Sequence, residues 1–259
     1  MHDQYLKNHF QKSGLNEPDL TFNEKLRIQL TISLIPRHWT FLVDVGCGDG
    51  RVSRQLVERG VRVIGIDWAD RRLMHLGGTA VGYDIRSQWP LKTKFDGALC
   101  AEVLEHLTTD DARRIIQQIK NHLRYGFVIA VPAREILLSH MVTCSRCSQQ
   151  YHAWGHIRRF DRFEDIDALV GQTAVERIFI PYTGVNASLT IESLRRSLGQ
   201  TPAFPNVYCP GCGLENTTQP HLPFYKKVLF WMLNRFESLT TRLRPPTGWF
   251  ACRYEYGGN

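Results

Sequence analysis

No apolar run in this sequence approaches the ~18 uninterrupted residues that a bilayer-spanning helix requires, so a membrane span is not expected. No internal repeat or low-complexity tract is visible, which argues against a solenoid or a disordered chain. The start, Met1-His2-Asp3-Gln4, lacks the basic-then-apolar pattern of an export signal, so the cytoplasm is the expected location. Seven cysteines, an odd number without such a signal, argue against a disulfide framework. The 259 residues, 43% hydrophobic and 22% charged, suit a soluble globular protein with a substantial core.

The formal net charge of +7 is unevenly placed. From His221 to Asn259 six basic residues face two acidic ones, more than half of the whole excess. That is compatible with anionic partners without identifying one.

Residues 1–40 read as a helical lead-in. Thr21-Phe-Asn-Glu24 has capping-box spacing, and Phe22, Leu26 and Leu30 recur at helical intervals until Pro36. From Phe41 to Pro132 short apolar runs alternate with helical stretches. The expected strands are Phe41–Val45, Val61–Ile66, Ala80–Tyr83, Phe95–Cys100 and Phe127–Val131, with helices at Arg51–Arg59 and Asp110–Leu123. Such alternation predicts an α/β fold, parallel strands with helices on both faces. Beyond Pro132 the rhythm breaks. A helix is expected from about Asp161 to Val170, a strand at Val175–Ile180, a long helix at Pro223–Leu243 and a last strand at Trp249–Tyr256. One domain thus covers 41–259, with cysteine-bearing insertions at about 134–157 and 200–222 and a basic helix at about 223–243.

The most informative segment is Phe41-Leu-Val-Asp-Val-Gly-Cys-Gly-Asp-Gly50, a strand running through glycines into a helix. Glycines there let backbone amides approach a ligand where a side chain would collide. A carboxylate at Asp44 would repel a pyrophosphate, but suits a ligand with an amino group and a sulfonium centre. Asp67, 21 positions after Gly46, stands near the interval at which an acid meets ribose hydroxyls in such folds. The bland alternative is a tight turn with no ligand.

Asp44-Val-Gly-Cys-Gly-Asp-Gly50, with Gly65-Ile-Asp67, Asp84-Ile85 and Phe95-Asp96, resembles the class I S-adenosylmethionine-dependent methyltransferases over roughly residues 40–180 and the final strand. The resemblance implies a Rossmann-like seven-stranded sheet with helices on both faces and an antiparallel last strand. It also implies that the loop of Gly46, Cys47, Gly48 and Gly50 passes the methionine part of the cofactor. Asp67 would bind both ribose hydroxyls, Trp68 would lie on the adenine face, Asp84 would reach the adenine amino group and the Ile85 amide the ring.

Glu102-Val-Leu-Glu-His106 follows the fourth strand of the series. In a continuing helical turn, Glu102, Glu105 and His106 share one face and could hold a divalent cation that acidifies a substrate hydroxyl. Ubiquinone-pathway O-methyltransferases and small-RNA 3′-terminal 2′-O-methyltransferases are similar at Glu-x-x-Glu-His, which implies a metal. Against that stand His106 as a general base without metal, and a purely pocket-shaping role.

Cys144-Ser-Arg-Cys147 and Cys209-Pro-Gly-Cys212 form two knuckles that together supply four thiolates for structural zinc. The metal would tie the two insertions, which have few apolar residues with which to order themselves. Free cysteines or a redox pair are the alternatives. In the stretch Tyr151–Asp161, His156 and Arg158 match a His-x-Arg segment of related methyltransferases, and His152 is additional. His156 could accept a hydroxyl proton, with Arg158 or Arg159 holding an anionic group. Alternatively a histidine joins the metal set, or the histidines only cap and pack.

In the long C-terminal helix, Val228, Met232, Phe236, Leu239 and Leu243 form a stripe expected to face the core. Phe230 and Trp231, near Lys227 and Asn234, fall on the other side, where they suit a membrane surface at the inner face or a bulky acceptor; the alternative is a helix buried on two sides by the insertions. The expected activity is O-methylation of a small-molecule, sugar or lipid-linked acceptor. The alternatives are an RNA methyltransferase gripping phosphates with its knuckles and basic helix, and an inactive cofactor-binding scaffold.

Overall fold

The computed structural model describes residues 20–68, 80–89, 92–200, 202–204, 206–216 and 223–256. The lead-in before Leu20 lies outside the described residues. Helix α1 (Phe22–Ser33) begins where expected: the Thr21 amide donates to Glu24 Oε2 at 2.8 Å, and the Glu24 amide donates to Thr21 Oγ1 at 3.3 Å. Its buried residues are Ile28, Thr31 and Ile32, whereas Phe22 is exposed. The buried face is therefore rotated from the predicted 22/26/30 stripe, with Leu26 and Leu30 only flanking it.

Strands β1 (Phe41–Val45), β2 (Arg62–Asp67), β3 (Ala80–Gly82), β4 (Phe95–Ala101) and β5 (Leu123–Ala133) are joined in parallel, and β8 (Glu176–Pro181) and β9 (Gly248–Glu255) extend the sheet. The order is β3-β2-β1-β4-β5-β9-β8, with β9 antiparallel to both neighbours. The expected seven-stranded fold is present. The order reverses between β1 and β4, and an open α/β sheet takes ligands beyond the carboxyl ends of its strands at that point.

Alternating residues of each strand build two cores, one per face. Val43, Val45, Phe127, Phe250 and Tyr254 pack with Ile115, Ile116 and Ile119 of α3 (Thr109–His122) and Ile166 and Val170 of α4 (Phe163–Val170). Leu42, Leu99, Val128 and Ala251 pack with Ile28 and Ile32 of α1 and Leu56 of α2 (Arg51–Glu58). Helix α4 starts two residues later than its sequence signal, because the Asp165 carboxylate accepts the Asp161 and Arg162 amides. Gly171, at φ +71°, caps it, so that it ends at Val170 as expected.

Two features depart from expectation. The segment after β5 is an antiparallel hairpin, β6 (Met141–Thr143) and β7 (Gln150–His152), with its own apolar cluster of Val142, Tyr151, Ala153, Val207 and the neighbouring cysteines. It is thus better furnished for ordering than its composition suggests. Helix α5 (Leu189–Ser197), capped where Ser188 Oγ accepts the Ile191 amide, was not predicted. It packs against α6 (Phe224–Thr240).

Candidate active site

The glycine loop lies at the reversal point. Gly46, Gly48 and Gly50 all have φ between +54° and +76°. A side chain on Gly46 would run into Val103, in the turn after β4, so glycine is required there for space as well as backbone conformation. Asp44 is buried at the end of β1, where Ser53 Oγ donates to Oδ2 at 2.6 Å. Burial raises its carboxyl to about 7 against the help of that hydrogen bond. Burial, with Asp44 close by, also pushes the Cys47 thiol far up, so it is no nucleophile.

Asp67, at the end of β2, accepts the Gly48 amide at 3.0 Å and so fixes the loop. Asp84 receives the Arg86 guanidinium at 2.7 Å, and that guanidinium lies 5.0 Å over the Trp68 ring. A cavity of about 370 Å³ opens here. Of the residues predicted for the cofactor, Asp44, Gly46, Cys47, Gly48, Asp67, Trp68, Asp84 and Ile85 line it; Gly50 is instead the residue that opens α2.

Glu102, His106 and His156 also form part of its wall. The expected single helical face is not formed. Glu102 has φ +58°, and only a short 3₁₀ turn, Leu104–His106, follows. Glu102 turns to Arg27 (3.9 Å) and accepts from Trp249 Nε1 at 3.3 Å. Glu105, His106 and His156 come together in its place, with one ligand-capable atom of each within 4.8 Å of the others. The Glu105 carbonyl accepts the Ile157 and Arg158 amides and thereby draws His156 beside His106, ring centroids 4.8 Å apart. The Glu105 carboxylate is fully buried, and among the described residues no other residue donates a hydrogen bond to either oxygen. Burial, then the Glu102 charge, raises its pKa well above the carboxylate range.

Glu135, which carries no motif signal, is the hub behind this wall. Oε2 lies 2.6 Å from His156 Nδ1; Oε1 lies 2.9 Å from His140 Nδ1 and 3.6 Å from His152 Nε2. Burial opposes its charge, but the three imidazoles outweigh burial and hold the carboxyl well below its ordinary value. His152 Nδ1 accepts the Trp154 and His156 amides, so its proton sits on Nε2, facing Glu135. Donors converging on a carboxylate fit this hub better than a cation does. A carbonyl only accepts, so the contact between His106 Nδ1 and Gly155 O at 3.3 Å puts the His106 proton on Nδ1. With Nδ1–H of His156 given to Glu135, Nε2 is in both rings the nitrogen that carries the lone pair whenever the imidazole is neutral. Arg158 and Arg159 do not serve an anion in the cavity: Arg158 bonds Leu107 O and Thr109, and Arg159 pairs with Asp161. Arg27, Arg51 and Arg86 line it instead.

The four knuckle cysteines converge, with Sγ of Cys144 and Cys212 3.5 Å apart, of Cys147 and Cys209 3.4 Å apart, and all four within 4.8 Å. Burial works against a thiolate at Cys144, but the Cys147 and Arg146 amides and the facing sulfurs bring it down to about 6. Burial instead pushes the Cys209 thiol up to about 12, and four sulfurs at this spacing could hold a metal ion in a tetrahedral set.

The sheet order and the acid-flanked glycine loop are those of the class I S-adenosylmethionine-dependent methyltransferase fold. Residues 42–126 match the family model described as a methyltransferase domain. The ubiquinone biosynthesis O-methyltransferase of Nitrosomonas europaea is 34% identical over 95 residues, covering 33% of this chain and 40% of that protein. Its counterpart in Nitrosospira multiformis is 35% identical over 92 residues, covering 30% and 38%. The match thus spans about two fifths of these curated relatives. Among solved structures, N-methyltransferase NodS from Bradyrhizobium japonicum WM9, in complex with S-adenosyl-L-homocysteine, superposes with a TM-score of 0.52 at 22% identity, covering 70% of this chain and 92% of that one. It shares the fold.

Proposed function

We propose that the chain transfers a methyl group from S-adenosylmethionine to an oxygen of a small-molecule, sugar or lipid-linked acceptor. The observation that carries this reading is the shared lining of one cavity: the Asp44–Gly48–Asp67 cradle together with His106 and His156. The cradle fits the donor, because buried Asp44 faces a space able to take an ammonium and Asp67 holds the loop amide that sets the loop's curve. When bound, the donor supplies an electrophilic methyl group. His156, its Nδ1–H fixed on Glu135, presents the Nε2 lone pair that can take the acceptor's hydroxyl proton. Closeness and alignment supply much of the acceleration.

One observation favours a divalent cation as an aid to the same reaction: among the described residues no other residue donates to the buried Glu105 carboxylate, which lies beside two imidazole nitrogens. Glu105, His106 and His156 would hold the ion, which would acidify an acceptor hydroxyl. Glu102, turned to Arg27 and Trp249, would stand outside that set. Zinc at Cys144, Cys147, Cys209 and Cys212 would be structural.

A radiolabelled-methyl assay on fractionated cell extract tests the reading. Label is expected in a small-molecule, carbohydrate or lipid fraction, with loss in His156→Ala and retention of donor binding. Label confined to RNA, or no transfer by protein that binds the donor, would overturn it.

A further inference from the structure

Helix α6 is attached by its polar side. Glu237, buried on that side, accepts the Arg195 guanidinium at 2.6 Å and the Ser188 amide at 2.6 Å. Arg195 also bonds Asn234, and Lys226 Nζ donates to Leu198 O at 2.6 Å. Phe230 is the one large apolar residue of the helix buried with them. The stripe expected to face the core faces solvent. Trp231 is 65% exposed, Phe236 58% and Leu239 67%, with Val228 and Met232 also exposed. The reason is the fixed position of Glu237: once its carboxylate is drawn under Arg195, helical geometry turns the stripe roughly opposite.

At 100° per residue the exposed apolar side chains of α6 cover an arc of about 140°. Arg235 lies within that arc, Lys227 beside it, and Arg242 in the turn that follows. All three are exposed, and none has an ion-pair partner among the described residues. The single acid of the helix is the buried Glu237, so the exposed charge of this face is purely positive. A large exposed apolar face marks an interaction surface. Symmetric packing of a second copy would bring the Lys227, Arg235 and Arg242 charges of the two copies against one another, which like charge disfavours. An anionic bilayer meets both properties: its headgroups pair with the cations, and aromatic and aliphatic side chains enter the acyl boundary.

We propose that α6 is an interfacial helix that docks the protein on a bilayer of anionic phospholipid, lying along the surface with Trp231, Phe236 and Leu239 inserted. The helix does not span it: no helix among the described residues is long and apolar enough to cross a membrane.

The test is flotation of the purified chain with vesicles of phosphatidylcholine alone or mixed with phosphatidylglycerol. The wild-type chain is expected to float with the anionic vesicles only, and to be released by salt. The Arg235→Glu/Arg242→Glu and Trp231→Ser/Phe236→Ser variants are expected to bind at least tenfold more weakly. All these side chains are exposed, so an unchanged melting temperature certifies the fold. Absence of flotation, or flotation unchanged in both variants, overturns the proposal. So does self-association that Phe236→Ser abolishes, because the occupant is then a second copy.

Discussion

Glu135 Oε2 stands 2.6 Å from Nδ1 of His156, and through that contact a residue outside the cavity lining determines which nitrogen of His156 faces the cavity. Glu135→Gln would confront three imidazoles with an amide that is both donor and acceptor. Methyl transfer is expected to fall by about 10- to 100-fold, the range for losing such an orienting partner. Calorimetry with S-adenosylhomocysteine should give an unchanged affinity. Full turnover in the variant would remove Glu135 from the site's function.

The same carboxylate makes an acid-side prediction. Its folded-state pKa is depressed below the ordinary 4.5, so its stabilising contribution is complete above that value and is lost as pH falls below it. Urea midpoints of the wild type should therefore drop steeply on acidification below pH 4.5, and those of Glu135→Gln less so. Parallel curves would show that the hub adds nothing to stability.

Asp44 predicts the opposite slope. With its carboxyl raised from 3.8 to about 7, the folded state without a ligand binds a proton that the unfolded state has given up. This contribution makes stability decline as pH rises from 3.8 to about 7 and level off above. A cationic donor favours the ionised form, so its affinity should rise with pH through about 7, with protons released on binding. Calorimetry in buffers of different ionisation enthalpy measures that release. Asp44→Asn should abolish it; a wild-type heat independent of buffer would refute the coupling.

Gly46 and Gly60 separate steric need from backbone need. Both have positive φ, but a side chain at Gly60 meets nothing within 4 Å, whereas one at Gly46 meets Val103. Gly60→Ala should cost about 1 kcal/mol of unfolding free energy. Gly46→Ala should cost at least about 2 kcal/mol, since overpacking is added, and should abolish donor binding. Equal costs in chemical denaturation would dismiss the Val103 contact.

For the thiolates, elemental analysis should find about one zinc per purified chain and close to none in Cys209→Ser, with a lower melting temperature. Unchanged metal content in the variant would defeat the four-sulfur site.

The sheet and the cradle were legible because both rest on short-range signals. Gly46, Gly48 and Gly50 announce a turn that no other residues make easily, and β1 and β2 announce themselves by apolar runs, each with one acid at or next to its carboxyl end. The four cysteines were legible for the same reason, since each pair is local and only their meeting is long-range. Glu135 was hidden because its function depends on His140, His152 and His156 folding back onto it through the β6–β7 hairpin. Glu102 was misplaced because helical spacing was assumed where the chain takes a left-handed step. The orientation of α6 was misread for a related cause: hydrophobic periodicity locates an apolar face but does not reveal that the buried Glu237–Arg195 pair claims the opposite one.

The position of β9 has a consequence for biosynthesis. This strand separates β5 from β8, bonding β5 over Gly126–Ala133 and β8 over Glu176–Pro181, and β8 has no other partner strand among the described residues. A nascent polypeptide that has left the ribosome as far as residue 247 therefore carries two unmatched edges, both open to wrong pairing with neighbouring chains. Ribosomal pausing late in the message should raise aggregation, and a holdase that shields those edges until residues 248–255 emerge should suppress it.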